Sequence, residues 1–301
     1  MHMRAQSSIH FPLGKPGNIL RGALGLAFRS IACDPACLEA ASCPYGTSCA
    51  YLRVFDPVPP PGAPSGLADP PRPFVFRARH LSGAVLRPGQ EFHFDVHLFD
   101  RDRSIAAYFI AAFTDIAATG LGPQRGHAEL LRVSALDEQQ GQHAELYVQN
   151  ALTNADVTPV EISLEPGLRA STLRVEFLSP TELRKDQTTD SPPDFGFLFA
   201  RVRDRVSNLR AFYGAGPLPV DFVSLGRKAR DIGLVRSSIR SIHTMRTSRR
   251  TGQTHPIGGF LGTAEFEGVL GEFLPYFLAA KWTGVGRHAV WGNGEIAVEW
   301  T

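Results

Sequence analysis

The chain has 301 residues, 43% of them apolar, which is enough to bury a sizeable core and excludes disorder as the default state. Thirty-one Lys and Arg stand against 29 Asp and Glu, a formal charge of +2, so bulk charge announces no polyanionic partner. No apolar signal core opens the chain and no stretch reaches the roughly 18 apolar residues of a membrane span, so a soluble, cytoplasmic protein with no membrane partner is expected.

Residues 4–11 suit a first strand, and the turn over 14–18 leads into a helix over 18–31. Ile19, Leu20, Ala23, Leu24, Ala27, Phe28 and Ile31 recur there at helical spacing, while Arg21 and Arg29 lie off the apolar stripe, available to a ligand. Cys33, Cys37, Cys43 and Cys49 follow in the pattern C-x3-C-x5-C-x5-C. Four thiols so close fit a structural zinc ion in a reducing compartment, although paired C-x2-C knuckles are missing; packing or unpaired thiols is the other reading. A proline-rich loop over 57–73 precedes a strand in which Phe92, Phe94, Val96 and Leu98 alternate with a polar face holding His93 and His97. Those two histidines read as solvated residues, because no thiolate or carboxylate supports them as metal ligands.

An apolar helix over 105–118 and a strand over 128–133 complete a β-α-β-β-α-β series, given one more strand before Phe92. The second half runs in the same order: a strand at 173–178, a helix at 195–209, strands at 238–248 and 260–266, a helix at 269–280 and a strand at 296–300. The helix at 195–209 carries Arg201, Arg203 and Arg205, with Arg210 just beyond, partly offset by Asp204. The fold class expected is therefore α+β: two tandem ferredoxin-like domains, residues 1–138 and 139–301, ending in a glycine-rich loop.

Two segments of the second half carry chemistry. Arg227, Lys228, Arg230, Arg236, Arg240, Arg246, Arg249 and Arg250 face a single acid, Asp231, a local excess of seven positive charges. A phosphate backbone would neutralise it, and a solvated surface is the alternative. The run from Gly284 to Gly294 holds Gly284, Gly286, Gly292 and Gly294 around Arg287 and His288. Its amides could wrap a phosphate chain while Arg287 neutralises charge, but a tight structural turn is the alternative. Neither a P-loop ending nor a G-x-G-x-x-G before a helix is present. Trp291 could stack on an unpaired base or pack in the core.

Leu20-Arg21-Gly22-Ala23-Leu24-Gly25, the clustered cysteines, Cys49-Ala50-Tyr51 through Phe55, Arg246-Thr247-Ser248-Arg249-Arg250, Gly258-Gly259-Phe260-Leu261-Gly262, Phe273-Leu274-Pro275 and the final glycine loop together resemble the CRISPR-associated RAMP superfamily. The resemblance is to the endoribonucleases that process precursor CRISPR RNA, and the arginine-rich, histidine-poor regions also look like type IV relatives. It implies binding of CRISPR repeat RNA, with the mature guide RNA and other subunits of an effector complex as further partners.

The implied reaction needs no metal cofactor: the ribose 2′-hydroxyl attacks the adjacent phosphate and the 5′-oxygen leaves. Many members supply a histidine from the first helix, and this helix has none. Arg21, Arg240 and Arg246 are then the expected charge-stabilising group, since an arginine neutralises phosphate and takes no proton. On a strand over 238–248, Arg240 and Arg246 would share one face and His243 the other. His243, His10 and His288 stand in reserve for proton transfer, and Arg29, Arg227, Lys228, Arg230, Arg236, Arg249, Arg250, Arg287, His288 and the four loop glycines are the expected RNA contacts. A non-catalytic RAMP subunit is the rival reading, and a zinc hydrolase a third that lacks ligands.

Overall fold

The computed structural model of the chain describes residues 1–34, 37, 43, 45–62, 70–183, 191–243, 245–247, 254–256 and 258–301. These fall into two compact units, the first made of Met1–Pro60 and Leu67–Glu161 and the second of Ile162–Thr301 together with Pro61–Gly66. The expected boundary at 138/139 would cut a strand ladder, because the strand that follows it folds back on the one before.

In the first unit β1 (His2–Ala5) and β2 (Ile9–His10) precede helix α1 (Pro16–Ala32), and the short helix α2 (Ala50–Phe55) follows the cysteines. Then come β3 (Phe74–Arg77), β4 (Val85–Leu86), β5 (Glu91–His93), β6 (Asp95–Leu98), helix α3 (Ser104–Thr119), β7 (Ala128–Leu136), β8 (Gln142–Val148) and β9 (Ala151–Leu152). One sheet runs β5-β1-β7-β8-β9, while β6 pairs with β3 and β2 with β4, every pair antiparallel. The strand expected over 4–11 thus splits in two, because the Gln6 and Ser7 amides turn to the His127 carbonyl. The strand expected around Phe92 breaks at Phe94, whose carbonyl accepts from the N-terminal ammonium at 3.1 Å.

Pro16 starts α1, where a missing N–H costs nothing, and α3 ends at Gly120 with φ of +110°. The two helices pack together over the core, in which Phe28, Phe55, Phe74, Phe76, Phe94, Phe109 and Phe113 meet edge to face or tilted.

The second unit holds β10 (Thr172–Thr181), α4 (Phe195–Tyr213), α5 (Phe222–Lys228), β11 (Gly233–Ile242), β12 (Met245–Thr247), β13 (Thr254–Pro256), β14 (Gly259–Glu267), α6 (Leu274–Thr283) and β15 (Ile296–Trp300). Its four-stranded sheet runs β11-β14-β10-β15, all antiparallel. In β10 Leu173, Val175 and Phe177 are buried while Arg174 and Glu176 point away, which is the period-2 signature at work. Phe195, Phe199, Phe266, Phe273 and Phe277 fill the core, to which α4 and α6 contribute.

Two expected elements shift. The helix expected over 269–280 starts at Leu274, because Pro275 suits the first turn and Val269, 84% exposed, lies in the preceding turn. The strand expected over 238–248 begins at Gly233 and stops at Ile242; Met245–Thr247 forms a separate hairpin with Thr254–Pro256. Among the described residues no helix is long and apolar enough to cross a membrane.

Candidate nucleic-acid interface

The outer strand β11 carries the clearest positive edge of the second unit. Its register sets Arg236 opposite Glu265, Ser238 opposite Thr263 and Arg240 opposite Leu261, while Ala264, Phe260 and Phe266 of β14 point into the core. Cross-strand partners share a face, so Arg236 and Arg240 lie on the face turned away from the core. Both are exposed, Arg236 with 79% of its side chain open and only a 3.9 Å approach to Glu265. Arg227, at the end of α5, and Arg230, in the turn after it, are exposed as well.

Lys228 differs: its Nζ lies 2.6 and 2.8 Å from the two carboxylate oxygens of Glu272, which offset its charge. Further across the same face Arg174 sits 3.0 Å from Glu299 and 3.6 Å from Glu265, and the hydrogen bond and charge of Glu299 raise its pKa. Arg174 is therefore paired, Glu176 and Glu267 are exposed acids on the same face, and the positive charge of Arg236 and Arg240 lies at its edge. Because β11 and β12 are separate strands, the shared-face argument for Arg240 and Arg246 does not carry across the break. His243 is exposed between them. Of Arg246 only the backbone is described, and Arg249 and Arg250 lie outside the described residues.

The loop from Gly284 to Gly294 is tied down by its own backbone. The amides of Gly284, Val285, Arg287, Trp291, Gly292 and Gly294 donate to the carbonyls of Ala280, Gly294, Glu182, His288, Ala289 and Pro180. Those six amides are already used, so the geometry matches the tight-turn alternative more closely than an open phosphate cradle. Its glycines answer a steric need: a Cβ on Gly286 would stand 2.4 Å from the Glu182 carbonyl and one on Gly294 would stand 1.9 Å from that of Val285, both at positive φ. Gly292 and His288 also hold left-handed backbone.

Glu182, absent from the sequence-derived candidates, organises the loop's side chains. Its carboxylate lies 3.3 Å from Arg287 Nε and 3.2 Å from His288 Nε2 with only 11% of the side chain exposed. Trp291 stacks on His288 with centroids 4.4 Å apart, so its face is partnered within the loop. Arg205, read from sequence only as one of several helix charges, donates to the Thr283 carbonyl at 2.7 Å and supports the loop's start. No sequence signal marks Glu182, because its partners come from a distant part of the chain.

In the first unit Arg29 is exposed in the last turn of α1. Arg21 is half-buried, with its guanidinium 5.4 Å from the Phe55 ring centre, and a Cβ on Gly25 would stand 3.3 Å from its Nη1. The face expected to be open to a ligand is thus partly covered by α2. His10 is half-buried in the β2–β4 pair. His93 does not stand alone: its ring stacks against His80 at 4.5 Å and His2 at 5.6 Å.

Residues 1–159 match the family model AF_1859_N, described as an N-terminal domain, and residues 175–296 match that of the CRISPR-associated endoribonuclease Cas6. The chain is similar in fold to the product complex of Cas6 (TTHB231) from Thermus thermophilus, with 15% identity over 99% of this chain and 98% of that one and a TM-score of 0.58. A product complex of another Cas6 (TTHA0078) has 16% identity over 99% and 100% and a TM-score of 0.51. A partial Cas6-RT-Cas1–Cas2 complex has 12% identity, covers all of this chain with 45% of its own and has a TM-score of 0.54. No curated protein sequence matches the chain.

Proposed function

We propose that this chain is a CRISPR-associated RAMP-type endoribonuclease that cuts CRISPR repeat RNA by metal-independent transesterification and keeps hold of the product hairpin. The match of residues 175–296 to the Cas6 endoribonuclease is the observation that carries this reading. The strand order of the second unit fits a ferredoxin-like domain, and the separate ladders β7-β1-β5 and β6-β3 of the first unit, with β5 and β6 consecutive along the chain, support the same description there. Solved relatives that are Cas6 product complexes support a guide-RNA ligand, and the Cas6-RT-Cas1–Cas2 assembly supports other CRISPR proteins as partners. On this reading the chain works in the cytoplasm.

In the proposed reaction the ribose 2′-oxygen bonds to the neighbouring phosphorus as its proton is removed. The bond to the 5′-oxygen breaks and that oxygen is protonated, leaving a 2′,3′-cyclic phosphate. Arginine serves such a step by holding the phosphate in line and neutralising the added charge, and Arg21, Arg240 and Arg246 are the side chains assigned to it. Because α1 contains no histidine, proton transfer falls to water or to His10, His243 or His288. That same missing histidine favours the rival reading of a guide-RNA-binding subunit without catalysis.

Incubation of the chain with end-labelled repeat RNA in EDTA, beside RNA with a 2′-deoxyribose before the scissile phosphate, separates the two. Cleavage of the first RNA and not the second is the expected result. Tight binding of both with no product would replace the enzyme by the structural subunit.

A further inference from the structure

The cysteine segment has a geometry that RNA cleavage does not explain. Cys33 caps the end of α1, Cys49 caps the start of α2, and the turn Gly46–Ser48 lies between Cys43 and Cys49. The thiol of Cys43 hydrogen-bonds to those of Cys37 and Cys49, and Cys33 lies within electrostatic reach of all three. All four are free of disulfides; Cys49 is buried and the others half-buried. We propose that Cys33, Cys37, Cys43 and Cys49 bind one zinc ion as a structural tetrathiolate site that fastens the end of α1 to the start of α2.

Three features favour this ligand. A zinc–sulfur bond of about 2.3 Å gives a tetrahedron with edges of about 3.8 Å, close to the separation at which thiols hydrogen-bond. Zinc would have to draw the four sulfurs together, since among the described residues no three His, Cys, Asp or Glu already stand in metal-holding geometry. The amide of Tyr45 points at the Cys43 sulfur, a contact that orients a thiolate and spreads its charge, while the Gly46 amide donates to the Cys43 carbonyl at 3.1 Å. The charge of Arg29, one turn before Cys33, reaches Cys33 and Cys37 and would offset the net −2 of a zinc ion with four thiolates.

Sequence supplies the physical need. Between Cys33 and Cys49 the only large apolar side chains are those of Leu38 and Tyr45, too few to bury a core of their own. Chelate loops of three, five and five residues close at small entropic cost, and zinc binding would supply the folding energy that burial cannot.

The test is the metal content of the full chain, purified without a polyhistidine tag from zinc-supplemented cells. About one zinc per chain is expected, with the visible absorption of a tetrahedral cobalt thiolate when cobalt replaces it. Cys43→Ser and Cys37→Ser should each lose the metal; should either fail to fold, the content and cobalt spectrum of the unsubstituted chain still decide. The proposal is overturned by a metal-free chain whose four thiols react freely with Ellman's reagent. It is equally overturned by fewer than four reactive thiols after metal-free unfolding, which means disulfides, or by iron with inorganic sulfide in place of zinc. None of these readouts involves RNA, so each outcome is independent of the cleavage assay.

Discussion

Gly294 and Gly216 both hold positive φ, at +69° and +86°, but only Gly294 has a neighbour where a Cβ would go. Gly216→Ala therefore meets backbone strain alone and should cost about 1 kcal/mol. Gly294→Ala adds a collision with the Val285 carbonyl at 1.9 Å, and should cost roughly 3 kcal/mol, since the loop must open to admit the methyl. Urea denaturation of the two variants checks the contrast, and equal losses would mean that the loop yields without strain. At this scale the density of glycines was legible in the sequence, and its purpose was not. Whether an amide faces a ligand or a carbonyl of its own chain depends on what lies opposite, and Pro180 and Glu182 lie opposite here.

Among the elements, α3 shows how one side chain sets a boundary. Arg103 already has helical dihedrals, and Asp102 Oδ1 accepts from the Ser104 amide at 2.9 Å and its hydroxyl at 2.7 Å, so Asp102 is the working cap. The Ser104 hydroxyl, then its amide, hold the Asp102 carboxyl below its ordinary range. A depressed carboxylate pKa contributes stability that is complete above the unfolded value of about 4 and is lost as pH falls through the folded value. Asp102→Ala should thus cost about 1 kcal/mol at pH 7 and close to nothing once the carboxyl is protonated in both states. Denaturant titrations at neutral and strongly acidic pH measure the difference, and a loss that does not shrink in acid would remove the carboxylate from the cap.

Periodicity located α3 within one residue at each end and β15 without error, because both are regular and their faces are buried on one side. It failed where the partner decides. β11 begins earlier than its residues suggest because β14 offers a ladder as far as Glu267, and the strand over 4–11 divides because its two halves find different partners.

For the molecule as a whole, a net charge of +2 conceals an uneven distribution. If phosphate binds along the β11 edge, affinity for repeat RNA should fall steeply with salt, and Arg236→Ala with Arg240→Ala should lower the salt slope by about 2. Lys228→Ala should change it much less, because Glu272 already holds that charge. Filter binding across a salt series tests both, and a flat response, or a Lys228→Ala effect as large as the double variant's, would move RNA away from this edge.

Composition, the two periodicities and the order of elements determined that the chain is a mixed α+β protein, and its glycine, arginine and cysteine motifs carried the family resemblance. Such features depend on local sterics and on repeats a few residues long, which a sequence displays directly. The tertiary structure alone decided that the main stretch of the second compact unit begins at Ile162, that Lys228 is paired while Arg236 and Arg240 stay exposed, that Arg21 rests on Phe55, and that Glu182 gathers Arg287 and His288. Each of these is a meeting of residues far apart along the chain, set by how strands return to pair, and local periodicity carries no record of it.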